Sequence, residues 1–158
     1  MTGFTHLSDS GAARMVDVSQ KQITVRTATA TGRVELSREV IALLRGAGMP
    51  KGDALAVARI AGIQAAKRTP DLIPLCHPIS IHGVEVDLEV HDEYVSISVT
   101  VRTADRTGVE MEALTSVSVA ALALIDMVKA VDPAAVVNQV RVEEKTGGSS
   151  GPWLRGSA

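Results

Sequence analysis

From Ala113 to Ile125 the chain carries no charged side chain, and Val, Ala and Leu fall on every side of a 3.6-residue period. No other stretch constrains the fold so strongly. A surface helix needs a polar face, and this one has none, so the pattern predicts a helix buried all round. Its charges gather at the ends, with Glu110 and Glu112 before the run and Asp126 and Lys129 after it. Asp132-Pro133 ends the helix near Val131. The most apolar part, Leu114 to Ile125, includes Thr115, Ser116 and Ser118, and reads as too short and too polar to span a bilayer.

A buried helix needs other elements to cover it. Gln22–Leu36 mixes branched and polar residues as a strand does. Ser37 is placed to cap a short helix over Arg38–Arg45 that Gly46 and Gly48 can end, and Asp53 to cap an Ala-rich helix running to about Lys67. Pro70, Pro74 and Pro78 argue against regular helix between them. Val84, Val86, Leu88 and Val90 alternate with polar residues, the turn His91-Asp-Glu follows, and the alternation resumes from Tyr94, which predicts a hairpin. Val136–Glu144 reads as a last strand. Strands that flank helices and also pair with each other point to an α+β sandwich, with helices on one face of a mainly antiparallel sheet and a ferredoxin-like arrangement. The 158 residues fit one domain, 1–158, with an irregular arm at 1–14 and a flexible tail at 149–158.

Composition excludes some functions. The net charge of -2 offers no basic excess for a phosphate backbone, and Phe4, Tyr94 and Trp153 are the only aromatic platforms for bases, so a nucleic-acid partner is not expected. Cys76 is the single cysteine, which rules out an intrachain disulfide and suits a reducing compartment. Met1–His6 lacks the basic and apolar pattern of a signal peptide, so the expected location is the cytoplasm, with no membrane partner.

Two readings of the helix-end charges stay open. In one, the glutamates complement the helix dipole and Asp126 pairs with Lys129 a turn away. In the other, Asp126 beside an apolar run has a raised pKa and moves protons near neutral pH. Glu112 and Asp126 are 14 residues apart, about 21 Å along a helix at ~1.5 Å per residue. One small reacting centre cannot touch both, so a second chain supplies one end or the ligand is long. Cys76-His77 lacks the spacing of a metal site and reads either as a buried Cys beside a loop His or as part of a substrate pocket. His82 and His91 read as surface residues. Among scattered cations, Lys51 before Gly52-Asp53 and Lys145 before Thr-Gly-Gly are placed to meet a phosphate.

Several longer strings belong together. Ala58-Arg-Ile-Ala-Gly-Ile-Gln-Ala-Ala-Lys-Arg-Thr runs into Asp71-Leu-Ile-Pro-Leu-Cys-His-Pro. Thr107-Gly-Val-Glu-Met-Glu-Ala-Leu-Thr precedes Ser118-Val-Ala-Ala-Leu and Asp126-Met-Val-Lys-Ala-Val. With Met15-Val-Asp-Val-Ser and Lys51-Gly-Asp, the chain from about Met15 to Gly148 resembles the molybdenum-cofactor biosynthesis protein C family, the cyclic pyranopterin monophosphate synthases. The resemblance implies a ferredoxin-like subunit in a hexamer, a trimer of dimers, with sites at subunit boundaries. It implies a lyase that converts a cyclised dihydro-GTP to cyclic pyranopterin monophosphate with release of pyrophosphate, and no resident metal or cofactor. It implies a substrate pocket of Leu75, Cys76, His77, Glu110, Met111, Glu112 and Lys145, and catalysis by Asp126 with Lys129 and Lys51. Two rivals from other classes stand beside it, a non-catalytic nucleotide-binding or regulatory module on the same fold and a structural assembly protein, since a fold does not fix a function.

Overall fold

The computed structural model describes residues 4–46 and 53–156. Along the chain come β1 (Thr24–Glu35), α1 (Arg38–Arg45), α2 (Ala54–Ala66), α3 (Thr69–Leu72), β2 (Gly83–Val90), β3 (Tyr94–Asp105), α4 (Glu110–Val128), β4 (Val136–Thr146) and β5 (Trp153–Leu154). The strands form one sheet in the order β2-β3-β1-β4-β5, and every neighbouring pair is antiparallel. This is the expected α+β architecture, consistent with a ferredoxin-like fold.

Alternation sets the two faces of the sheet. Ala28, Ala30 and Val34 of β1 are buried, and their β3 partners Val101, Val99 and Val95 are buried with them. The intervening β1 residues face the other way and bond as polar groups: the Thr29 and Thr100 hydroxyls meet at 2.9 Å, and Thr31 Oγ1 donates to Glu143 at 2.6 Å. α4 lies across the apolar face, with Val117, Ala120, Ala121, Leu124 and Val128 wholly buried. Each of these larger side chains contributes about 1.5–3 kcal/mol of hydrophobic stabilisation when fully buried.

α2 reaches α4 through small residues. Ser116 Oγ donates to the Gly62 carbonyl at 2.7 Å, and a Cβ on Gly62 would stand 3.2 Å from the Ala120 Cβ. Both expected caps form: Ser37 accepts from the Val40 amide and Asp53 from the Ala56 amide. Gly48, expected at the end of α1, lies outside the described residues. The edge strand β2 is guarded by exposed Glu85, Asp87 and Glu89, and Arg59 of α2 donates to its Val86 carbonyl at 2.9 Å.

Four expectations need correction. The proline-rich segment does hold one helical turn, α3, because Pro70 falls in the first turn, where its missing N–H costs nothing. The tail is not structureless: Trp153 and Leu154 pair with Lys145 and Glu144. α4 is not buried all round, since Leu122 is 61% exposed and Met111 36%. The full 19-residue helix is also long and apolar enough to cross a bilayer, contrary to the reading of its core. Its packing on β1, β3, β4 and α2 is that of a core helix.

Candidate active site

Three chain segments meet at the start of α4: the end of β3 with the loop to Gly108, the first turn of α4, and the end of β4. Val109, which precedes the helix, is fully buried and anchors the junction. The Glu110 carboxylate folds back over Gly108 and accepts from Lys145 Nζ at 2.9 Å. Arg26 of β1 spans the same junction, with Nε donating to the Asp105 carbonyl and Nη2 to the Arg106 carbonyl, both at 3.2 Å. Gly147 (φ 84°) and Gly148 (φ 79°) then turn the chain tightly round Arg26 in a conformation that favours glycine, and a side chain on Gly148 would strike the guanidinium. The result is a cavity of about 180 Å³ lined by Lys21, Arg26, Thr107, Lys145, Gly147 and Ser149 among others. Lys21, Arg26 and Lys145 outnumber Glu110, the one carboxylate in its wall, so the cavity favours an anion.

Beside it sits a buried acid. Glu112 is only 3% exposed. Burial pushes its pKa up to about 7, and the neighbouring Glu110 charge adds to the effect. The Cys76 thiol is also raised, first by burial and then by Glu112, which places the Leu75-Cys76-His77 segment near this acid. Leu75, Cys76 and His77 are all half-buried, and Met111 points outward at 36% exposure. His77 Nε2 lies 2.6 Å from the Val16 carbonyl. His77 also lines a second cavity of about 510 Å³, with Met15, Asp17, Arg106 and Thr107. Thr107 borders both cavities, so they adjoin.

Asp126 and Lys129 stand at the other end of α4. They form an ion pair of 2.7 Å with side chains 62% and 59% exposed. Asp126 is therefore exposed, and the buried carboxylate of this helix is Glu112 instead. The helix is continuous from Glu110 to Val128, so the ~21 Å between Glu112 and Asp126 holds. Lys51 lies outside the described residues.

The structure thus gathers Glu110 and Lys145, with Glu112, Cys76 and His77 close by, and leaves Asp126 and Lys129 apart. Lys21 and Arg26 escaped the sequence reading because nothing in their local context distinguishes them from other cations. The only hint was Arg26 inside a Thr-rich strand. Another cavity, about 1060 Å³ between α1 and the hairpin turn, holds none of the expected site residues. Among the described residues no three His, Cys, Asp or Glu side chains converge as a metal would require.

The chain that carries the Cys76-His77, Glu110–Glu112 and Lys145 strings is similar in sequence to several known proteins. The cyclic pyranopterin monophosphate synthase of Streptomyces avermitilis is 70% identical over 151 residues, 96% of this chain and 89% of its own length. Cyclic pyranopterin monophosphate synthase 2 of Mycobacterium tuberculosis is 57% identical over 96% of this chain and 90% of its own. The synthase of Peptoclostridium acidaminophilum is 51% identical over 98% of both. The sequence profile of the MoaC family matches residues 15–148, a span that contains Cys76, His77, Glu110, Glu112 and Lys145, and the chain belongs to that family.

Proposed function

We propose that this protein is a lyase of molybdenum-cofactor biosynthesis that converts (8S)-3',8-cyclo-7,8-dihydroguanosine 5'-triphosphate to cyclic pyranopterin monophosphate and pyrophosphate, acting in the cytoplasm. The observation that carries the reading is the 70% identity to a cyclic pyranopterin monophosphate synthase over 96% of the chain. The cavity of Lys21, Arg26 and Lys145 supports it, because a triphosphate needs cations that strengthen as pyrophosphate leaves. In that step a ribose oxygen attacks the α-phosphorus, the bond to the β-phosphate oxygen breaks, and the ribose proton passes to a base. Lys51 joins this group of cations in the proposal.

Rebuilding the purine into a pterin opens and closes C–N bonds, so protons must move at several nitrogens. Asp126 serves as the catalytic acid–base, with Lys129 governing its charge. Glu112 is the second acid: near pH 7 it is present in both protonation states, as a proton carrier requires. Leu75, Cys76, His77, Glu110 and Met111 line the substrate pocket.

Asp126 and Glu112 reach one substrate if they come from two copies of the chain, in a hexamer built as a trimer of dimers. Two features support self-association: the ~21 Å between the helix ends, and apolar residues on the outer faces of α2 and α4, where Ile60 is 66% exposed and Leu122 61%. Incubation with the cyclised nucleotide tests the reaction, with pyrophosphate and the pterin product measured together. Binding without pyrophosphate release would point to the non-catalytic nucleotide module, and no binding to an assembly protein.

A further inference from the structure

The proposed reaction leaves one contact unexplained, the bond between the N-terminal arm and His77. We propose that Asp17 is a positioning residue: its carboxylate shapes the turn that aims the Val16 carbonyl at His77, which fixes the ring as the Nε2–H tautomer and leaves Nδ1 as the acceptor for a ligand. A carbonyl oxygen only accepts, so the 2.6 Å contact requires the proton on Nε2. In the neutral ring Nδ1 then holds a lone pair.

The arm is built to hold that carbonyl in place. Asp17 Oδ1 accepts from the Ser19 amide at 2.9 Å, which closes a turn on the residue next to Val16. The Lys21 amide donates to the Val18 carbonyl at 3.0 Å and continues the turn. Arg106 Nε donates to the Lys21 carbonyl at 3.0 Å, tying the far end of the arm to the loop before α4. The segment is therefore fastened at both ends, and Val16, Asp17, His77 and Arg106 all border one cavity. Asp17 is exposed and supports no part of the core, so its carboxylate acts on the arm and on His77 rather than on global stability.

The consequence is chemical selectivity. A neutral His77 with its Nε2 proton already committed offers a ligand only an acceptor. It recognises an O–H or N–H group, such as a ribose hydroxyl or a ring N–H of a nucleotide, and not a fully ionised phosphate oxygen. The identity of that ligand rests on the proposed reaction, whereas the tautomer does not.

Long-range proton–nitrogen correlation spectra of the full chain labelled with nitrogen-15 read the ring directly at a pH where histidines are neutral. Asp17→Ala, Asp17→Asn and a His77→Asn assignment control complete the set. In the wild type His77 is expected to show a protonated Nε2 and a lone-pair Nδ1. Asp17→Ala should give a mixture of tautomers and a kcat lower by roughly tenfold, the lower end of what losing an outer-shell partner of a metal-bound histidine costs, with an unchanged melting temperature. Asp17→Asn keeps the oxygen acceptor, so both tautomer and kcat should return to near wild type. A wild-type ring protonated on Nδ1, an Asp17→Ala ring still wholly in the Nε2–H form, or an Asn variant no better than the Ala variant would each overturn the proposal. Failure of the wild type to release pyrophosphate overturns the reaction instead, and the spectra decide the role of Asp17 in either case.

Discussion

Lys145 at the end of β4 reaches Glu110 in the first turn of α4, and the 2.9 Å contact between Nζ and Oε1 joins two residues 35 positions apart. Both side chains are about one-third exposed, so the pair itself adds little to stability. Its value lies in holding an ammonium group at the mouth of a cationic cavity.

Lys145→Ala should therefore weaken a guanosine triphosphate ligand about tenfold, or ~1.4 kcal/mol, and leave the nucleoside almost unaffected. Raising the ionic strength should shrink the difference, since the charge acts through solvent. Calorimetric titration with both ligands at two salt concentrations measures this. Equal losses for both would remove phosphate from the role of Lys145. The same comparison applies to Arg26→Ala, where the loss of two carbonyl contacts should also loosen the loop at Asp105–Arg106.

Glu112 makes stability depend on pH in a definite direction. Its folded pKa, about 7, lies above the ordinary 4.5 of the unfolded chain. Between those values the folded state holds a proton that the unfolded state has lost, so stability falls as pH rises. The stabilisation is complete below pH 4.5 and is gone above about pH 7. The full change is about 3 kcal/mol. Glu112→Gln cannot ionise and should lose this slope. The measurement is the difference in melting temperature between wild type and variant from pH 4.5 to pH 8. A difference that stays constant over the range would contradict burial as the cause of the shift.

Shared sites have a genetic signature. Glu112→Ala and Asp126→Ala should each be inactive alone, with Asp126→Ala still folded and able to bind nucleotide. After subunit exchange, a mixed dimer has one site with both defects and one with neither. An equal mixture should recover roughly a quarter of wild-type activity, because half the dimers are mixed and each has one intact site of two. No recovery, with exchange confirmed by mass spectrometry, would mean that each chain holds its own complete site.

Gly62→Ala sets two effects against each other. Alanine in a helix interior gains up to ~1 kcal/mol over glycine. Here the new Cβ would stand 3.1 Å from Ser116 Oγ, 3.2 Å from the Ser116 carbonyl and 3.2 Å from the Ala120 Cβ. Two of those neighbours sit on or next to α4 backbone and yield little, and overpacking of this kind costs ~1–3 kcal/mol. The expected result is a net loss of about 1 kcal/mol in urea unfolding, with the Ser116–Gly62 hydrogen bond lengthened. A stabilised variant would show that the two helices can move apart freely.

What the sequence determined by itself was largely local. Period-two alternation in β2 and β3, the caps Ser37 and Asp53, and the long apolar run of α4 each depend on neighbours a few residues away, and each element formed where those signals put it. The strings around Cys76-His77 and Glu110–Glu112 carried the family as well. Which carboxylate is buried was not local. Both ends of α4 adjoin the same apolar run, yet Glu112 is covered where the Cys76 segment passes it, and Asp126 stands on the exposed side with Leu122. Desolvation depends on what packs over a side chain, and only the tertiary structure supplies that. The cationic cavity follows the same logic: Lys21 and Arg26 meet Lys145 because β1 pairs with β4, bringing together residues more than a hundred positions apart that no local pattern connects.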